Sequence, residues 1–232
     1  MPALPIGNSF AQTRSHVEWV ETQDSLSHYV SLPEHAGYTH LVPVVLAVHG
    51  WGGDERVMWA FESAYPKDHA LVVVRAPFAL AEGGYCWFDV DPTQDRKPIP
   101  SSVMQGLAQL ERFVRALESH YPIDSTQLHY VGFSQGAAIG SALLFHAPQL
   151  ISKLVMIGGF VPLPAQMLPM TDLSQKQILI SHGERDEVVP ITAAQRAKAL
   201  LEDRQAMVEY RSYAVGHKMT LQGIRDLASF LQ

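Results

Sequence analysis

Gly132-Phe133-Ser134-Gln135-Gly136 sets a serine between two glycines, after the short apolar run Leu128–Val131 and ahead of the helix-like stretch Ala137–Phe145. A Gly-x-Ser-x-Gly on a strand-to-helix turn holds its serine in a strained backbone conformation with the hydroxyl exposed. Side chains at the two glycine positions would collide across so tight a turn. Ala137, Ala138, Gly140, Ser141 and Ala142 continue the same logic, because small residues let the helix approach the strand behind it. The pentapeptide alone also arises by chance in turns. A strand before it and a small-residue helix after it are what separate a nucleophile from an accident. The chemistry in question is attack of a hydroxyl on a carbonyl, followed by transfer of the acyl group.

An alkyl hydroxyl is a poor nucleophile until a neighbouring base takes its proton, so Ser134 calls for a histidine and an acid further along the chain. In one common arrangement the order is serine, acid, histidine. After Ser134, the strand candidate Ile178–Ser181 opens into His182-Gly183-Glu184-Arg185-Asp186-Glu187-Val188-Val189-Pro190, and a loop there brings Asp186 to the carboxyl edge of a sheet. Ala214-Val215-Gly216-His217 follows the last strand candidate, and Gly216 allows the sharp turn that would aim the imidazole at Ser134. His217 is therefore the candidate base and Asp186 the candidate acid. His182 rivals His217, but it lies close to Asp186 in sequence and early in the order, where a loop-stabilising hydrogen bond is the plainer role. Glu184, Glu187 and Asp172 remain rivals for the acid. The first two read as solvated loop charges, and Asp172 falls after an earlier strand candidate.

Acyl transfer also needs N–H donors for the oxyanion of the tetrahedral intermediate. One candidate is the main-chain N–H of Gln135, next to the nucleophile at a helix N-terminus, where the partial positive charge favours an anion. The other is the N–H of Trp51, in the turn His49-Gly50-Trp51-Gly52-Gly53-Asp54-Glu55. That segment could equally be a simple glycine-rich turn.

The elements that must position these groups alternate along the chain. Val42–Val48, Ala70–Val74, Leu128–Val131, Leu154–Ile157 and Ile178–Ser181 are short aliphatic or β-branched runs followed by breaks, as buried strands covered on both faces are. Val17–Glu21 and His28–Leu32 read as an antiparallel pair opening the sheet, and Met207–Tyr213 as a more exposed last strand. Val103, Leu107, Leu110, Val114 and Leu117 recur at helical spacing after Ser101 or Ser102, either of which can cap the helix, and Pro122 ends it. Ile224, Leu227, Ala228 and Leu231 mark a closing helix. Alternating strands and helices imply a mostly parallel central sheet with helices on both faces and an antiparallel start. Ligands of such sheets gather at the carboxyl ends of the strands.

Taken together, these residues resemble the phospholipase/carboxylesterase family of the α/β-hydrolase fold, which includes acyl-protein thioesterases and small bacterial carboxylesterases. The blocks that carry the resemblance are His49-Gly50-x-Gly52-Gly53-Asp54, Gly132-Phe133-Ser134-Gln135-Gly136, His182-Gly183-x-x-Asp186-x-Val188-Val189-Pro190 and Gly216-His217, with Trp87-Phe88-Asp89 between them. The resemblance spans nearly the whole chain after the first dozen residues, which are expected to be poorly ordered, and it implies one domain over residues 1–232. It also implies hydrolysis of carboxylic esters or thioesters with no metal or organic cofactor. Trp51 departs from the acyl-protein thioesterases, which carry a smaller aliphatic residue there, and its bulk points to short acyl chains. Trp87 and Phe88, with Phe160, Val161 and Leu163, are candidates to line the acyl pocket, although core packing would explain the same residues.

Composition narrows the classes further. The chain of 232 residues is 47% hydrophobic and 17% charged, the balance of a folded globular protein. A formal charge of −6 gives no electrostatic attraction for nucleic acid or an anionic membrane. Cys86 is the sole cysteine, so an internal disulfide is impossible, which suits a reducing cytoplasm. Neither a secretory signal nor a bilayer-spanning apolar run is visible. The partner expected is a small-molecule ester. Acyl-protein thioesterase, lysophospholipase and peptidase activities use the same machinery, and a non-catalytic binding protein on this scaffold would require a broken triad.

Overall fold

The computed structural model describes residues 17–22, 25–94 and 96–232. The dozen N-terminal residues expected to be poorly ordered lie outside the described residues. Twelve strands and four α-helices follow in chain order: β1 (Glu18–Val20), β2 (His28–Ser31), β3 (Val42–Val48), β4 (Ala70–Val74), β5 (Phe78–Ala79), β6 (Tyr85–Cys86), β7 (Val90–Asp91), β8 (Lys97–Pro98), α1 (Pro100–His120), β9 (Ile123–Phe133), α2 (Gln135–His146), β10 (Lys153–Ile157), β11 (Gln177–Gly183), α3 (Ile191–Asp203), β12 (Met207–Tyr213) and α4 (Leu221–Leu231). A 3-10 helix covers Glu55–Ala64.

Eight of the strands form one sheet in the order β1-β2-β4-β3-β9-β10-β11-β12. The opening strands β1 and β2 pair antiparallel to each other, and β2 pairs antiparallel to β4. From β4 onward every neighbour is parallel. Successive side chains of a strand point to opposite faces, and each face here meets its own cover. Val44, Leu46 and Val48 of β3 pack with α1, α2 and α3, through residues such as Leu107, Leu110, Ala138 and Leu201. Val45 and Ala47 pack on the other face with Met58 and Trp59 of the 3-10 helix and with Leu227 and Leu231 of α4. Burial on both faces is why these strands read as continuous apolar runs rather than as alternation. At the edge, β12 is only partly covered.

The first helix differs from expectation at its start. Ile99 is the N-cap and makes no side-chain cap bond, and Pro100 opens the helix, where its missing N–H costs nothing. Ser102 lies inside the first turn, buried, and its hydroxyl instead accepts the N–H of Asp89 at 2.8 Å. Strand β9 runs well beyond the apolar core Leu128–Val131, because its polar N-terminal half also continues the sheet.

Parallel pairing has one consequence that matters for chemistry. The strands β3, β9, β10, β11 and β12 all end at the same edge, and they release the segments holding Gly50–Gly53, Ser134, Gly158, Asp186 and His217, respectively.

Within β9, buried His129 lies beside His69, with ring centroids 5.2 Å apart. Burial first, then the charges of His69 and Lys153, push its pKa from 6.5 down to about 4. A histidine with a lowered folded pKa binds fewer protons folded than unfolded, so stability is complete above 6.5 and falls as the pH drops toward 4. His129→Phe should flatten this part of the profile. Urea unfolding of both proteins at neutral and mildly acidic pH checks it, and parallel slopes would refute the assignment.

Candidate active site

Ser134 is the N-cap of α2, with φ 53° and ψ −115°, a region that residues other than glycine seldom occupy. The turn is held by its neighbours. The Ser134 N–H donates to Ile157 O at 2.8 Å, and Tyr130 donates its hydroxyl to Gly136 O at 2.8 Å. A Cβ on Gly132 would sit 2.5 Å from Ala137 N, and one on Gly136 would sit 2.2 Å from Val48 O. Both glycines are required by close backbone approach, and the second one lets α2 start against the end of β3.

Asp186 and His217 meet at the same edge. The Nδ1 of His217 lies 2.6 Å from Asp186 Oδ2. A carboxylate accepts, so Nδ1 carries the proton, and Nε2 is left with its lone pair. The other oxygen of Asp186, Oδ1, accepts the N–H groups of Val188 and Val189 at 2.9 and 2.8 Å. The carboxylate has no exposed side-chain surface, and these donors replace the water it has lost. The histidine packs beside the Ser134 turn: its ring centroid is 4.9 Å from that of Phe133, and a Cβ on Gly158 would lie 3.1 Å from its Cε1. Gly158 in turn follows Ile157, the residue that accepts the Ser134 N–H.

Of the rival residues, Glu187 lines the cleft that holds Ser134, but the carboxylate that meets His217 is that of Asp186. His182 is buried, and its Nε2 lies 2.8 Å from Val189 O, so that nitrogen is the donor and ties the Asp186 loop to β11. The same nitrogen lies 3.5 Å from Asp186 Oδ2. Glu184 is exposed and accepts from the Ser212 hydroxyl at 2.9 Å. Asp172 precedes β11, at the opposite edge of the sheet from Ser134, and folds onto Ser174 N at 2.8 Å.

The turn after β3 is braced from three sides. Gly52 N donates to Tyr85 O at 2.9 Å, Tyr85 N to Gly53 O at 2.9 Å, and Gly53 N to Gly50 O at 3.2 Å. The Trp51 N–H has no acceptor among the described residues. Beneath it, His49 accepts the Ala76 N–H on Nε2 at 3.0 Å and donates from Nδ1 to Gly50 O at 2.8 Å. Burial lowers the pKa of His49, which keeps that pattern neutral. Gln135, at the first position of α2, has an N–H for which the helix itself offers no partner.

A cleft of about 450 Å³ opens onto Ser134, Gln135 and Trp51. Phe88, Val90, Pro98 and Phe160 give it apolar walls, and the segment from Glu187 to Ala193 closes another side. Trp87, expected at the acyl pocket, is not part of it. Its indole is fully buried and donates to His49 O at 2.9 Å, so it supports the turn from below. Leu163 likewise belongs to the core. Among the described residues no group of three or more His, Cys, Asp or Glu could hold a metal ion.

One contribution was invisible in sequence: the side chain of Gln135 accepts the Trp87 N–H at 2.7 Å and donates to Phe88 O at 2.7 Å. It bolts the Trp87–Phe88 backbone to the Ser134 turn. Nothing in the local pattern links residues 48 positions apart, although a glutamine inside the serine motif was the available clue.

The mostly parallel eight-stranded sheet, with a strained serine on its strand-to-helix turn, is an α/β-hydrolase fold. Residues 36–232 match the phospholipase/carboxylesterase family, and the chain belongs to it. Acyl-protein thioesterase 1 of Saccharomyces cerevisiae is 30% identical over 209 residues, which is 81% of this chain and 91% of that one. The crystal structure of a carboxylesterase from Mesorhizobium loti superposes with a TM-score of 0.79 at 20% identity, covering 93% of this chain and 98% of that one. A Bacillus cereus carboxylesterase gives 0.78 at 20% identity, covering 90% and 98%. No helix of the described residues is long and apolar enough to cross a membrane.

Replacing Gln135 by Met preserves its length while leaving a buried N–H and a buried carbonyl unpaired. The expected loss of stability is about 1–3 kcal/mol for each. Urea denaturation, followed by the fluorescence of the buried indole of Trp87, measures it. A variant as stable as the parent would mean that the clamp contributes nothing.

Proposed function

We propose that this protein is a serine esterase that hydrolyses carboxylic esters through an acyl-enzyme, with Ser134 as nucleophile, His217 as general base and Asp186 as the residue that orients and charges the base. The observation that carries the reading is the 2.6 Å contact between His217 Nδ1 and Asp186 Oδ2 at the edge where the Ser134 turn lies. That contact commits the proton to Nδ1 and leaves Nε2 as the proton acceptor. Ser134 Oγ attacks the ester carbonyl while His217 takes its proton, and Asp186 stabilises the imidazolium that results. The oxyanion is received by the N–H groups of Trp51 and Gln135. His217 then protonates the departing alcohol, and water, activated by the same histidine, releases the acid and restores Ser134.

The reading takes the chain as a single domain that acts in the cytoplasm on small esters. The continuous eight-stranded sheet and the lone cysteine support it, and the charge of −6 argues against nucleic acid as a partner. Hydrolysis of thioesters is the second reading, favoured by the thioesterase name of the yeast relative. The same residues would serve it, since a thiolate leaves more readily than an alkoxide.

Ser134→Ala and His217→Gln should each lower kcat by about 10⁴-fold or more, because members of a triad act as one unit. Asp186→Asn should be comparably severe, since an amide favours the wrong tautomer. Steady-state hydrolysis of ethyl butyrate, with fluorophosphonate labelling of Ser134, measures these effects. Near-normal turnover in the Asp186 variant would move the acid elsewhere.

Trp51 separates main chain from side chain. Trp51→Pro removes the proposed donor and should cost about 100- to 1000-fold in kcat, provided circular dichroism shows it folded. Trp51→Leu should cost far less on an acetyl ester and extend activity to longer chains, because the indole narrows the cleft. Acetyl, butyryl, octanoyl and palmitoyl esters of one alcohol report both effects, and the parent should favour the first two. A steady rise in kcat/KM to palmitoyl would overturn the short-chain assignment.

A further inference from the structure

The β7–β8 hairpin forms the wall of the cleft facing Trp51, and it carries Arg96 and Lys97. The guanidinium carbon of Arg96 lies 5.6 Å from the centroid of the Trp51 ring, within cation–π range. That contact holds the group beside the residue whose N–H is proposed to receive the oxyanion. A cation–π contact uses none of the five N–H donors of a guanidinium. Among the described residues Arg96 makes no hydrogen bond or ion pair. Its own backbone has φ 53°, a conformation that arginine adopts at some cost.

The surrounding charges have been placed. Asp91, opposite Lys97 in the hairpin, is committed to its own turn: Oδ1 accepts the Thr93 N–H and hydroxyl at 2.8 and 2.7 Å, and Oδ2 accepts from Gln94 at 2.8 Å. These bonds hold the Asp91 carboxyl below its usual pKa, so it remains an anion that partly offsets Lys97. Glu187 lines the cleft as well. Arg96 is therefore the cation best placed to meet a ligand, on a protein whose net charge of −6 otherwise repels anions.

We infer that Arg96 is a specificity-determining residue that selects esters carrying a second, ionised carboxylate, such as the half-esters of short dicarboxylic acids. A planar fork held beside an aromatic ring, with no hydrogen-bond partner among the described residues, matches a carboxylate, which it can grip with two parallel hydrogen bonds. The apolar walls around Phe88, Val90 and Phe160 would take the methylene spacer between the two carbonyl carbons. Glu187 opposes the same anion and limits the preference. The inference rests on the esterase reading of this cleft and names the substrate class for it.

The test compares kcat/KM, followed by pH-stat, for monoethyl succinate, glutarate and adipate against ethyl butyrate, valerate and hexanoate. A second arm places the carboxylate on the alcohol side, comparing acetoxyacetate with propyl acetate. In the parent the charged member of at least one pair should be preferred, and Arg96→Gln should lower that charged-to-neutral ratio by about 10- to 100-fold, the usual worth of a charge-assisted bond. Arg96→Lys should fall between, Glu187→Gln should raise the ratio, and added salt should shrink it because the cleft is open to solvent. Whichever arm responds tells which side of the ester faces Arg96. Calorimetric binding of the same half-esters to Ser134→Ala reads recognition without turnover. Arg96-dependent binding, together with a parent protein that hydrolyses none of these esters, would sustain the anion site and overturn the esterase reading alone. An active enzyme with equal kcat/KM for charged and neutral partners, unmoved by Arg96→Gln, would overturn this inference alone.

Discussion

The backbone of Ser134 is the constraint on which the rest of the site depends. A non-glycine residue at φ 53° and ψ −115° costs of order 1–3 kcal/mol and persists only where its surroundings determine it more strongly than its own preference does. Those surroundings are the sheet and α2 together. Ile157 O holds the Ser134 N–H, Tyr130 holds Gly136 O, and α2 begins with Gly136 close against the carbonyl of Val48. The strain cannot relax without pulling a buried helix from a buried strand. The hydroxyl is thereby presented above the sheet edge, and the first N–H groups of α2 face the same space.

The second requirement is a buried carboxylate held in one orientation. Two backbone N–H groups hold one oxygen of Asp186, and His217 holds the other, with His182 at 3.5 Å behind it. Full satisfaction of this kind makes burial of an anion tolerable, and it also leaves the carboxylate no freedom to turn away from His217. The hydrogen bonds that position Asp186 run through Val188 and Val189, residues that also form a wall of the cleft. The cleft wall and the support of Asp186 are therefore one loop, and changes to either will be felt by both.

The cleft itself is assembled from segments with little regular structure. The turn after β3, the β7–β8 hairpin and the Glu187–Ala193 stretch line the cleft around Ser134, and main-chain bonds from Tyr85 of the β5–β6 hairpin to Gly52–Gly53 brace the first of them. Gln135 and Trp87 extend this bracing beneath the floor. The ends of long strands carry Ser134, Asp186 and His217, and shorter hairpins carry the groups proposed to choose among substrates, in keeping with the division of labour between scaffold and loops.

What the sequence determined by itself was local and periodic. Aliphatic runs of strand length, helical stripes such as Val103 to Leu117, and the serine between Gly132 and Gly136 each follow from sterics or burial acting within a few residues. The order of Ser134, Asp186 and His217 became legible because each lies just beyond a strand, and parallel strands must share an edge. Tertiary structure alone decided the rest. Ser102 binds Asp89 rather than capping α1, because Pro100 already opens the helix. Trp87 supports the floor rather than lining the cleft, since its indole N–H found the carbonyl of His49. The clamp from Gln135 and the seat of Arg96 on Trp51 join residues dozens of positions apart. Such pairings carry no period or spacing that a sequence could display. They exist only once the strands are in register and the hairpins have nowhere else to pack.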